Sequence, residues 1–187
     1  MPHVLITGGT GMLKDVPHYF TRHGYTVSVI ARNPEGLNKL IEAKDQHGFI
    51  NPVKVDYSDN YLLEEKLNSA IDNYGPIETA VCWIHDSAPE APYVIADVLN
   101  NQNIKCKYFH VLGCEYANPH EITKDIHYSF ERYVNLIYRK IILGFVIDGE
   151  VSRWLTDTEI SNGVIDGIIN GKDIFIVGKV EPWEMKP

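Results

Sequence analysis

The stretch His3–Lys14, HVLITGGTGMLK, constrains this chain more than any other. An apolar run of strand character meets a glycine cluster, and a helix-compatible segment follows at once. Gly8, Gly9 and Gly11 leave a tight turn free of side-chain obstruction, so its backbone N–H groups point outward. At the start of a helix such groups, reinforced by the helix dipole, favour a phosphate. In the G-x-G-x-x-G spacing Gly9 is the first position, Gly11 the second, and Lys14 stands at the third. A glycine turn without a ligand is the plainer alternative. The position directly after an N-terminal strand favours the phosphate cradle.

The rest of the chain alternates in the same sense. Strands are expected at Val4–Thr7, Thr26–Ala31, Ile50–Val55, Ile77–Ile84 and Lys107–Leu112. Helices are expected at Met12–His23, from Pro34 to Gln46, from Ser58 or Asp59 through Tyr74, and from Pro89 to Asn100. This β-α repeat predicts an α/β fold of Rossmann type, a doubly wound, mostly parallel sheet with helices on both faces. After Gly113 the pattern loosens. A helix over Glu121–Tyr133, a sixth strand over Arg139–Ile147, a helix from Thr156 or Asp157 to Ile169 and a seventh strand at Asp173–Val177 are expected. The chain of 187 residues reads as one domain, with an irregular tail over 179–187.

Composition narrows the function. A formal net charge of −8 and a pI near 5.4 argue against a general nucleic-acid or anionic-membrane binder. Cys82, Cys106 and Cys114 have no C-x-x-C spacing and read as reduced thiols, not as a disulfide framework or a zinc site. The first strand begins almost at once, so no signal peptide is expected. The longest apolar run, Ile141–Ile147, is too short to span a bilayer. A cytoplasmic protein with no metal is the expectation.

Cofactor preference is read after the second strand, where dinucleotide folds meet the adenosine ribose. An acidic residue there would accept from the 2′-hydroxyl. This chain has Ala31-Arg32-Asn33. Arg32 offers a planar, permanently charged fork to a 2′-phosphate, so NADP(H) is preferred over NAD(H). Lys14, in place of the third glycine, adds a cation that would assist. A solvated surface role is the alternative for Arg32, and an ordinary exposed helix position for Lys14. Asp56 either accepts from an adenine amino group or caps the next helix.

Thr7-Gly8-Gly9-Thr10-Gly11, Ala31-Arg32-Asn33 and Val55-Asp56 together resemble the short-chain dehydrogenase/reductase superfamily, closest to its extended and atypical branches. The resemblance covers about residues 1–115 well and the remainder only by element order. It implies that Thr10 and Met12 line the pyrophosphate, Arg32 and Asn33 the ribose phosphate, and Asp56 with Tyr57 the adenine. The stretch Trp83-Ile84-His85-Asp86-Ser87 replaces the family's Asn-Ala-Gly-like segment, and Trp83, His85 and Ser87 are expected to face the cofactor, with a loop histidine satisfied by backbone as the alternative for His85.

The family's catalytic set is a Ser, then a Tyr about thirteen residues on, then a Lys four residues later. No Y-x-x-x-K occurs here. Cys114 stands where the Ser belongs, Tyr128 lies fourteen residues later, and Arg132 is four beyond it. On a helix Tyr128 and Arg132 would share a face, and the guanidinium would stabilise a phenolate without relaying protons. Tyr128 and Tyr133 serve equally as core aromatics, and Tyr116 with Lys124 is a weaker pair. Trp154 walls a substrate pocket or closes the core. Substrate-binding insertions are missing, so any pocket is small or shared across a homodimer or homotetramer interface. The leading expectation is an NADP(H)-dependent oxidoreductase on a small carbonyl or enone. The competing one is a catalytically inactive dinucleotide-binding sensor or regulatory protein.

Overall fold

A computed structural model describes residues 1–42, 47–118 and 129–187. Strand β1 (His3–Thr7) leads through the glycine turn to α1 (Asp15–Arg22). Then follow β2 (Thr26–Ala31), α2 (Pro34–Glu42), β3 (Phe49–Lys54), α3 (Asn60–Tyr74), β4 (Ile77–Trp83), α4 (Ala91–Asn100) and β5 (Cys106–Gly113). A 3-10 turn at Cys114–Ala117 closes β5. The second half holds β6 (Leu136–Leu143), β7 (Phe145–Asp148), β8 (Val151–Trp154), α5 (Asp157–Asn170) and β9 (Ile174–Val177), and a 3-10 turn at Trp183–Met185.

Seven strands form one parallel sheet in the order β3-β2-β1-β4-β5-β6-β9, while β7 and β8 make a separate antiparallel pair. The order reverses direction between β1 and β4. In open α/β sheets the crevice at the carboxyl ends of such a pair is where ligands bind. Alternation along β1 sends Val4 and Ile6 to one face and Leu5 to the other, each fully buried. The first face is covered by α1, α2 and α5, the second by α3 and α4. Burying each such side chain contributes about 1.5–3 kcal/mol, so the central strand anchors both layers. Pro52 lies within β3, which is an edge strand, where a missing N–H is tolerated.

Local chemistry sets the element ends. Asp59 caps α3 by accepting from the Leu62 amide at 3.0 Å. Thr156 and Glu159 form a reciprocal capping box on α5, and Gly171 ends that helix in the left-handed conformation.

Three expectations need correction. Helix α1 begins at Asp15 and not at Met12. The Met12 carbonyl accepts from Ser161 Oγ at 2.8 Å, and the Val16 amide turns to Leu13 instead. The expected strand Arg139–Ile147 is two elements. Strand β6 starts earlier, at Leu136, and stops at Leu143, because Gly144 lies against the Lys179 backbone and Phe145 exchanges two 2.8 Å bonds with Lys179. From there the chain leaves the sheet into the β7–β8 hairpin, which apolar periodicity did not reveal. Most of the expected helix Glu121–Tyr133 lies outside the described residues. Of its end, only Ser129 and Phe130 are helical, and Glu131 and Arg132 form a turn.

His110, on β5, sits in an aromatic cluster with Tyr108, Phe130 and Tyr138, and its Nδ1 is 3.0 Å from the Tyr138 hydroxyl. Burial holds its pKa down to about 3, so the folded state carries it neutral. In the unfolded chain it protonates near its ordinary value of 6.5. Its contribution is therefore fully present above that value and is lost as pH falls toward about 3, at about 1.4 kcal/mol per pH unit. His110→Asn should lower stability at neutral pH yet flatten the loss on acidification from about pH 6 to pH 4. Urea unfolding across that range checks it, and an unchanged slope would show that His110 does not carry the acid sensitivity.

Candidate functional site

The glycine turn is built by close approach. Gly8 has a φ of +80°, and a Cβ there would lie 3.1 Å from Trp83 Cβ. A Cβ on Gly9 would sit 2.9 Å from Pro17, 3.1 Å from Val29 and 3.2 Å from Ile6. No side chain fits at that position without moving the core. Gly11 differs, since a Cβ there meets only the Gly8 carbonyl, at 3.9 Å, and otherwise faces open space.

The amides of the turn divide in two. Those of Gly11 and Leu13 donate to the Gly8 carbonyl, and that of Lys14 to Gly11. Among the described residues the amides of Gly9, Thr10 and Met12 have no protein acceptor. Unpaired backbone N–H groups beside a bare Cα direction form a concavity for an anion. A dinucleotide's diphosphate fits this donor set. Ser161, buried on α5, props the turn from below, donating to the Met12 carbonyl and accepting from the Asp15 amide at 3.4 Å. Nothing local in the sequence marks Ser161, which lies 149 positions from Met12.

Thr7 is fully buried, and its hydroxyl donates to the Trp83 carbonyl at 2.8 Å, tying β1 to β4 below the turn. Thr10 packs against the first turn of α2, where a Cβ on Gly36 would lie 3.0 Å from Thr10 Cβ. Arg32, at the end of β2, is exposed, with one guanidinium nitrogen 3.7 Å from Asp56. Asn33 accepts from the Glu35 amide at 2.9 Å and so helps start α2. Asp56 accepts from the amide and hydroxyl of Ser58, at 3.0 and 2.8 Å. Those bonds, and then Arg32, hold its carboxyl below the usual range. The Tyr57 hydroxyl accepts from the His85 amide at 3.3 Å, bringing the ends of β3 and β4 together. The His85 ring in turn accepts from the Ser87 amide at 3.2 Å.

A cavity of about 450 Å³ lies at the ends of β5 and β6, lined by Met12, Trp83, Cys114, Leu143, Trp154 and Ile160 among others. Glu115, Asp157 and Lys186 supply its charged groups. Burial pushes the Cys114 thiol up, and Lys186 pulls it the other way. A second cavity of about 380 Å³ lies beside it, between the ends of β4 and β5, with His85, His110 and Tyr116 in its wall.

Of the expected catalytic set, only Cys114 and Arg132 fall among the described residues. Tyr128 and Lys124 lie outside the described residues. Arg132 lines neither cavity. Its guanidinium donates to the Tyr133 hydroxyl at 2.6 Å and lies 4.8 Å from that ring. Tyr133 is buried in the α3–α4 face. Lys186, which sequence reasoning passed over, arrives from the tail with no local signal beyond the neighbouring Trp183.

No family model matches the sequence, and no curated protein matches it either. Solved structures do. A bulky-bulky ketone specific alcohol dehydrogenase from Comamonas testosteroni superposes with a TM-score of 0.70 at 14% identity, covering 98% of this chain and 89% of that one. A short-chain type dehydrogenase/reductase from Mycobacterium marinum gives 0.72 at 12% identity, over 95% and 93%. An NAD+-bound xylitol dehydrogenase gives 0.64 at 11% identity, over 79% and 72%. The chain therefore has the Rossmann-type fold of the short-chain dehydrogenase/reductases. Among the described residues no helix is long and apolar enough to cross a membrane.

The two glycines should respond differently to a side chain. Gly9→Val should lower the melting temperature by several degrees or prevent folding, since its Cβ already meets three core neighbours. Gly11→Val should melt within about a degree of the parent, because its Cβ faces open space. Differential scanning fluorimetry separates them, and equal losses would place Gly11 in the packing.

Proposed function

We propose that this chain binds a nicotinamide dinucleotide across the carboxyl ends of β1 and β4 and works as an oxidoreductase on a small carbonyl or enone compound. The observation that carries this reading is the turn itself: three acceptorless amides around a glycine whose Cβ direction is open, at the switch point of a parallel sheet. The amides of Gly9, Thr10 and Met12 would hold the diphosphate. Asp56 and Tyr57 would border the adenine, and Trp83 the path toward the larger cavity. Bound there, the reduced nicotinamide supplies hydride to the substrate. The apolar wall of Met12, Leu143, Trp154 and Ile160 excludes water around the acceptor.

Within this reading NADP(H) is preferred over NAD(H). Arg32 stands exposed at the end of β2, with a free edge for a phosphate beyond its loose 3.7 Å contact to Asp56. An exposed pair at that distance contributes little, so a doubly charged phosphate competes well for the guanidinium.

A second reading has its own support. Arg132 is engaged by Tyr133 and stands away from the cavity at Cys114. A dinucleotide-binding sensor, without turnover, would share the cradle and lack a proton donor.

Calorimetric titration tests the reading. NADPH should bind more tightly than NADH, and Arg32→Ala should erase most of the difference, about tenfold for a lost charge-assisted contact. Equal affinities in both proteins would remove Arg32 from the site. Gly11→Val should abolish binding of both dinucleotides while the protein stays folded. If binding survives, the turn is not the cradle. Consumption of NADPH with a panel of small ketones and enones then separates the reductase from the sensor.

A further inference from the structure

Among the described residues neither Cys114 nor Arg132 offers a strong donor to the substrate's oxygen in the proposed reductase, and the tail after β9 brings one to the cavity. Residues after β9 cross back over the sheet end, pinned by the Phe145–Lys179 backbone pair. The 3-10 turn at Trp183–Met185 then sets Lys186 at the mouth of the cavity beyond Cys114. Its ammonium lies 4.9 Å from the centre of the Trp183 ring and 5.9 Å from that of Trp154. Both rings attract a cation through their faces. Glu115 and Asp157 line the same cavity and keep the surroundings negative. Even so, no ion pair among the described residues joins Lys186 to either. Among the described residues Lys186 therefore lines the chamber with no carboxylate partner, and within the chamber its ammonium interacts with the Cys114 thiol.

We infer that Lys186 receives the oxygen of a carbonyl compound bound in this cavity, with the compound's apolar body lying among Met12, Leu143, Trp154 and Ile160. That the oxygen belongs to a substrate under reduction rests on the oxidoreductase reading above; the binding itself does not. The chamber's volume and largely apolar lining, with Lys186 as its one cation, suit a compact, mostly apolar ligand with one oxygen. Lys186 would neutralise negative charge developing on that oxygen, a task that neither Cys114, a weak donor, nor the engaged Arg132 performs.

The chain's three tryptophans report on this site, since Trp83 and Trp154 line the cavity and Trp183 holds Lys186. The probes are benzamide, a flat carbonyl compound that nicotinamides do not reduce, and toluene, which has the same ring and no oxygen. Binding to the full chain is followed by tryptophan fluorescence, with dinucleotide affinity measured in parallel by calorimetry. Wild type should bind benzamide saturably. Lys186→Met should weaken benzamide by about tenfold, the value of a hydrogen bond to a charged group, and leave toluene and the dinucleotide unchanged. Lys186→Arg, which keeps the charge, should stay within about threefold of wild type for benzamide.

Equal benzamide affinity in wild type and Lys186→Met would overturn the inference. So would parallel losses of benzamide and toluene, which would mean a packing role, or no saturable benzamide signal in wild type. Lys186-dependent benzamide binding by a protein that takes no dinucleotide would instead sink the reductase reading and leave the oxygen site standing.

Discussion

Everything at the carboxyl end of this sheet depends on how closely the backbone at Gly9 approaches the core. Pro17 of α1, Val29 of β2 and Ile6 of β1 all lie within 3.2 Å of where a Cβ would be. That contact draws the beginning of α1 down onto the central strand. In the same turn the amides of Gly9, Thr10 and Met12 are left without a protein acceptor among the described residues, while those of Gly11 and Leu13 donate to the Gly8 carbonyl. Packing thus rests on the missing side chain of Gly9, and the open surface of the turn on that of Gly11.

The rest of the site is assembled around that turn from distant parts of the chain. Ser161 takes the Met12 carbonyl, so α5 both covers the sheet and fixes the pose of the cradle. Thr7, whose hydroxyl reaches Trp83, locks β1 to β4 where the strand order reverses. The tail crosses at Gly144 and Lys179, and Lys186 beyond it lines the chamber that Cys114 borders. The polar side, around Arg32, Asp56 and Tyr57, suits a charged and hydrogen-bonding nucleotide. The opposite side, walled by methionine, leucine, isoleucine and tryptophan, suits an apolar compound.

Local signals were strong wherever a residue's role is set by its near neighbours. Strand β2 falls at Thr26–Ala31, as apolar alternation indicates, and Asp59, Thr156 and Gly171 end their helices as their chemistry dictates. The same reasoning runs Arg139–Ile147 together as one strand, because Ile141–Ile147 (IILGFVI) carries no polar side chain. The break at Gly144 is made by a backbone partner 35 positions downstream, Lys179. Arg132 looked like a helical companion of Tyr128 by spacing alone. It lies in a turn, and its guanidinium is drawn to the adjacent Tyr133, whose own place is set by burial against α4.

By itself, the order of residues determined the α/β alternation, the glycine turn and the cation after the second strand. Each follows from backbone freedom, hydrophobic period or charge within a few positions. Only the folded chain decided which amides stay unpartnered, that Ser161 braces the turn, and that Lys186 of the tail after β9 reaches the chamber beside Cys114. Those facts come from contacts across more than a hundred residues or from the path of a tail without periodicity, and neither leaves a local mark in the sequence.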